Sequence, residues 1–160
     1  MVVDLDARRK AVGDLLLFVH IAAVAAWIGA GITQLIVTPA LQQTGGITAA
    51  AWMRQTVRLG RILLSPAAIL VLISGVWMVV REDVYEFEQA FVVIGFIAVA
   101  TGAFLGMRVY GPMGRDIADL HESGESAQAG EKHRRIATLG LAEIALLLFT
   151  VWAMVSRWGL

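Results

Sequence analysis

Residues 15–37 read LLLFVHIAAVAAWIGAGITQLIV, an apolar run whose one ionisable side chain is His20. A hydrocarbon layer about 30 Å thick needs roughly 20 helical residues at about 1.5 Å rise each, so the run is long enough to cross it. Lipid offers no water to unpaired backbone groups, which leaves the helix as the form the run takes. Three further runs qualify, over residues 62–80, 90–107 and 136–155. None alternates with the period of two that a membrane barrel requires. The fold expected is all-α, an integral membrane four-helix bundle, with residues 1–160 forming one domain.

Composition agrees. The chain is 58% hydrophobic and 16% charged, against roughly 45–50% and about 25% for soluble domains. Thirteen basic residues balance thirteen acidic ones, so no net field draws in nucleic acid, and no such partner is expected. The absence of cysteine excludes disulfides, thiolate metal sites, iron–sulfur clusters and covalently attached c-type haem. No phosphate loop, nucleophile elbow or zinc-binding helix motif occurs, and the sequence leaves enzymatic activity open. Arg8, Arg9 and Lys10 before the first run, with Ala23-Val24-Ala25 inside it, mimic a secretion signal. The run continues past that point to Val37, so it reads as a retained span.

The connections differ in kind. Gln42 to Gly46 reads as a turn, followed by an amphipathic helix feeding the second span. Arg81 to Glu88 is short and acidic, with Glu82, Asp83, Glu86 and Glu88 beside Tyr85 and Phe87, and makes spans 2 and 3 an antiparallel hairpin. Gly111-Pro112 predicts a break, and residues 122–130 a flexible link. No internal repeat relates the two hairpins. Arg54, Arg58, Arg61, Arg108, Arg115, Lys132, Arg134 and Arg135 lie on one side of the layer, against Arg8, Arg9, Lys10, Arg81 and Arg157 on the other. Eight against five places loops 1 and 3 in the cytoplasm and both termini outside.

Ionisable groups within a bilayer are expensive and mark functional candidates. Two stand inside the runs, His20 and Glu143. His20 opens a stripe through Val24, Trp27, Gly31 and Gln34 that should face the bundle, where Gly29 and Gly31 admit a neighbour's backbone or a flat ligand. Counting residues from each face sets His20 level with Ser74–Met78 and Phe149–Trp152. Glu143 falls level with Trp27–Gly31, nearer Arg61 than His20, so His20 and Glu143 should not pair. His20 reads as an axial ligand of b-type haem, a proton relay, or an interior histidine bonded to Ser74 or Thr150. A second haem ligand is missing from the spans, with Met78 a candidate and His121 and His133 on the far side. Glu143 reads as a neutral carboxyl, a partner of Arg61, or a packing hydrogen bond. Arg54, Arg58 and Arg61 share a helical face and would hold carboxylates, or reach anionic lipid. His121 and His133, with Glu122 and Glu131, would bind a divalent ion only without any strong motif.

His20-x6-Trp27, Arg58-Leu59-x-Arg61-Ile62, Pro66-Ala67 and Gly75-x-Trp77 resemble the haem-protein type of protoporphyrinogen oxidase. Span 1 is similar to the membrane domain of copper-resistance protein D. Length and layout resemble a family of uncharacterised four-span bacterial membrane proteins. The likeness covers the chain to about Val80. It implies a haem held by His20, with Trp27, Arg58 and Arg61 around it and Glu143 answering to a glutamate of the oxidase's fourth span. The lysine and histidine of the oxidase's third span have no counterpart in residues 90–107, and its Asn-Glu-x-Pro pattern is reduced to Glu143.

The expectation is therefore a multi-pass protein of the bacterial inner membrane. It would bind haem b with His20 as the metal ligand, and serve electron transfer or small-molecule oxidation. Trp27, Gly31, Arg58, Arg61 and Glu143 would line the site. Proton or metal-ion transport, and a non-catalytic scaffold subunit, are the alternatives. The lipid bilayer and a second copy or a membrane-complex subunit are the expected partners.

Overall fold

The computed structural model describes residues 2–81 and 84–159, with side chains from residue 7 onward. Glu82 and Asp83 of the acidic connection lie outside the described residues. Four helices and no strands make up the described residues: α1 (Val2–Thr44), α2 (Gly46–Arg81), α3 (Ala90–Glu122) and α4 (Ser126–Val155). All four are long and apolar enough to cross a membrane.

Each helix outruns its apolar stretch. The 43 residues of α1 extend about 64 Å, twice the hydrocarbon thickness. The turn expected at Gln42–Gly46 shrinks to its glycines, because α1 continues through Pro39 to Thr44. Gly45 and Gly46 take φ of 64° and 51°, a left-handed bend that a Cβ would oppose. The amphipathic helix after it and the second span are one helix. The link expected to be flexible over 122–130 reduces to residues 123–125, with Gly124 at φ 82°.

Gly111-Pro112 does not break α3. The helix widens there instead into a π-turn over Gly106–Tyr110, and α2 does the same over Gly60–Leu64. The cause is shared. A proline in a helix has no N–H and its ring crowds the carbonyl four residues back. In each case a proline follows the widened turn, Pro66 in α2 and Pro112 in α3. The residue before it bonds five residues back, Ser65 N–H to the Gly60 carbonyl and Gly111 N–H to Gly106. The Ser65 hydroxyl adds a second bond to the Gly60 carbonyl at 3.0 Å. Gly60-x5-Pro66 and Gly106-x5-Pro112 thus repeat a device that hydropathy alone does not reveal.

The helices form a square. The membrane half of α2 packs closely on α1, α3 on α4, and α4 on α1, while of these neighbouring sides the membrane halves of α2 and α3 touch least. Ala23, Trp27, Ala67, Val71, Ala98 and Leu147 form the buried centre. Leu15, Phe18, Ile36, Ile62, Ile73 and Phe104 are exposed on the outside, as a lipid-facing surface requires. Beyond the π-turns, residues 46–59 of α2 and 111–122 of α3 pair with the start of α4 around Ala50, Met53, Ile117, Ala118 and Ala129. Ion pairs rim this cap: Arg54 with Asp119 at 3.0 Å and Glu122 at 2.9 Å, and Lys132 with Asp116 at 3.2 Å. At the opposite end the Arg81 guanidinium donates to the Arg9 carbonyl.

Candidate functional site

His20 is buried at its predicted depth, and its Nδ1 lies 3.0 Å from the Ser74 hydroxyl. The single Ser74 hydroxyl proton goes to the Leu70 carbonyl at 2.5 Å, so the ring N–H donates and Ser74 Oγ accepts. Thr150, the other partner expected, bonds the Leu146 carbonyl instead. The imidazole edge lies over Gly75, where an added Cβ would stand 3.3 Å from Cε1. That contact gives the Gly75-x-Trp77 motif a packing reason, while Trp77 faces outward.

The void beside His20 measures about 30 Å³ and is walled by Val24, Val71, Ala98, Val99, Thr150 and Met154 among others. It has room for a water molecule or two. A porphyrin does not fit beside this ring, and haem ligation by His20 finds no space in the arrangement of the bundle.

Glu143 stands at the level counted from sequence. Its carboxylate accepts a hydrogen bond from Trp27 Nε1 at 3.2 Å. The Tyr110 hydroxyl also faces it. The partner expected, Arg61, does not meet Glu143. Trp27 reaches Glu143 across Gly102, where an added Cβ would overlap the indole and come within 2.9 Å of the carboxylate. Sequence reading passed over Gly102, because nothing in a glycine's own pattern says which ring lies on it.

Glu143 opens onto a cavity of about 640 Å³ bounded by all four helices. It runs from Trp27, Ile69, Gly102 and Leu147 to Thr38, Met53, Arg115 and His133, about 17 Å along α1. Both π-turns border it, through Gly60, Arg61 and Leu64 on one side and Gly106, Met107 and Tyr110 on the other. Trp27, Gly31, Arg61 and Glu143 of the predicted site line this space. His20 and Arg58 do not.

Trp27 and Leu147 border both the cavity and the small void, and so divide His20 from Glu143. Gly31 packs on Ile144, with 3.1 Å from an added Cβ to Cδ1, while Gly29 faces open space. Arg54, Arg58 and Arg61 do not act together. Arg54 pairs with α3, Arg58 is exposed away from the cavity, and Arg61 enters it. The counting that aligned them assumed 3.6 residues per turn, which fails at the π-turn beginning at Gly60.

Tyr110, which the sequence did not single out, joins Gln34 of the His20 stripe and His133 of the divalent-ion candidate at the cavity wall. His133 Nδ1 and Gln34 Nε2 are buried at the cavity wall with no hydrogen-bond partner, while the Tyr110 hydroxyl faces Glu143. His121 Nε2 bonds the Gln42 amide oxygen. Among the described residues no cluster of three or more His, Asp or Glu side chains could hold a metal ion.

Compared with protein-family models, with curated proteins and with solved structures, the chain matches none. The likenesses drawn from short motifs in the first two helices gain no support from those comparisons.

Proposed function

We propose that this membrane protein binds a small, largely apolar molecule inside its four-helix bundle, in the space bordered by Glu143, Tyr110 and Trp27. The observation that carries the reading is the cavity, about 640 Å³ with a buried carboxylate at its inner end. Ligand sites have this character: roughly 300–1,000 Å³, mostly apolar, with few polar groups to fix orientation. A buried carboxylate kept in lipid favours the same view, since packing alone is served by cheaper side chains. Gln34, unpartnered in the wall, offers a donor to an occupant.

The test is native mass spectrometry of the protein released gently from detergent. A retained molecule of a few hundred daltons is expected in the natural sequence and not in Ala137→Phe, which fills the cavity from α4. Bare protein in both overturns the proposal.

A second reading keeps haem but moves it. His133 lines the cavity with an unpartnered Nδ1, and Arg61 and Arg115 stand at the same end to receive propionates. Bound there, haem would supply one-electron chemistry. Reconstitution with haem separates the two sites by visible spectrum. A Soret band lost in His133→Ala and kept in His20→Ala favours the cavity.

Transport through a His20–Glu143 relay is the weaker proposal, because Trp27 and Leu147 stand between the two groups. The setting proposed is the bacterial inner membrane with the cap in the cytoplasm, on the basic bias of the cap end. A single cysteine introduced at Gln55 in this cysteine-free chain should resist an impermeant maleimide in intact spheroplasts and react after lysis.

A further inference from the structure

The cavity is not closed evenly. Its lining residues on α1 and α4 are all buried or half-buried. Every exposed lining residue belongs to α2 or α3: Arg61, Ser65 and Ile69 on one side, Gly106, Met107 and Arg115 on the other. These residues cluster at and beside the two π-turns, along the loosest of the four sides of the square. Ile69 is 56% and Met107 71% exposed, so the rim is apolar toward the bilayer centre.

Toward the cap the rim is cationic. Arg115 folds back to within 3.9 Å of the position of a Cβ on Gly111, beside the second π-turn. Among the described residues neither Arg61 nor Arg115 has an ion pair or hydrogen bond, whereas Arg54 and Lys132 of the same end are both paired. An apolar gate with two free guanidinium groups at its water-facing edge has the polarity of an amphiphile lying in one leaflet.

We infer that the seam between α2 and α3 is a lateral portal, through which the cavity takes from the bilayer a single-chain amphiphile with an anionic head, held by Arg61 and Arg115. The inference rests on the cavity-binding reading and adds the route and the class of ligand. The chain of the amphiphile enters past Ile69 and Met107. Its head stays at the two arginines, where paired N–H donors suit a carboxylate or phosphate. Widened turns, each followed by a proline, frame the opening on both sides.

The probe is palmitic acid carrying a mid-chain diazirine, irradiated with the full chain in phosphatidylcholine vesicles. Peptide mapping should find adducts inside the cavity, at Ala103 and Ala137, as well as at the lipid-facing Phe104. The double variant R61Q/R115Q should lose at least five-fold of the interior adducts and keep those at Phe104, which also reports that the bundle is intact. Interior residues left unlabelled beside a labelled Phe104 would overturn the portal. Equal interior labelling by the corresponding neutral alcohol, or by the acid in R61Q/R115Q, would overturn the anionic head. Displacement by excess inorganic phosphate would overturn the bilayer as the source. If interior labelling fails while native spectra still show a retained molecule, the portal falls alone; if both fail, the cavity-binding reading falls with it.

Discussion

The bundle interior turns on two polar contacts made by single side chains. His20 donates to Ser74 and Trp27 donates to Glu143, each pair joining helices far apart in sequence. A buried polar atom deprived of its partner costs about 1–3 kcal/mol. Ser74→Ala should therefore lower stability by that order, seen as an earlier thermal transition in detergent, while leaving ligand retention unchanged. Gly102→Ala acts on the second pair. Its methyl would overlap the Trp27 indole and crowd the Glu143 carboxylate, and overpacking of this kind costs about 1–3 kcal/mol. Here loss of the retained molecule should accompany the lower transition, because Trp27 and Glu143 both line the cavity. A transition unmoved by Gly102→Ala would contradict the close approach. Depth counting from helix ends was enough to place Ser74 near His20 and Trp27 near Glu143. It could not tell that Trp27 would take the carboxylate from Arg61, because which side chain turns inward is decided by packing across three helices.

At the scale of the element, the two π-turns do what a break was expected to do, with the helix axis preserved. A π-turn holds one residue more than the α-turn it replaces. Deleting Leu63 from α2 together with Pro66→Ala should thus let the turn relax to regular helix and leave the faces of the span and the cap in register. Inserting an alanine at the same place should rotate the cap segment by about 100° against the span, at 3.6 residues per turn. The insertion, not the deletion, is expected to expose Ala50 and Met53 and to abolish the thermal transition of the cap. Equal damage from both would argue against the widened turn. Helix existence was legible from the apolar runs and helix length was not. Hydropathy registers only about half of α2, whereas Ala49, Ala50 and Met53 bury their side chains outside that stretch. The spacing Gly60-x5-Pro66, repeated at Gly106-x5-Pro112, was present in the sequence; proline was read there as a stop because its lost hydrogen bond has that effect in a narrow helix.

The whole molecule divides at the level of those turns. Toward one end, lipid surrounds four spans whose exposed faces are isoleucine, leucine and phenylalanine. Toward the other, helices that outrun the hydrocarbon layer carry a rim of ion pairs about a small core of Ala50, Met53, Ile117, Ala118 and Ala129. The overall architecture followed from composition, since no other structure satisfies four such runs. The cavity did not, because a void is a property of where side chains fail to meet.

The cap core has a consequence for how the molecule comes apart. Its cohesion depends on water, which drives apolar groups together less strongly in the cold and in urea. The spans have no such dependence, since lipid tails are as apolar as the side chains they touch and close packing holds the helices. One continuous polypeptide is thereby governed by two solvents. Amide hydrogen exchange in mild urea or near freezing should quicken over residues 46–59 and 111–122 while residues 65–81 stay protected. The chain would then fray from its wet end, like a rope whose fibres are glued at the tip and clamped along the shaft.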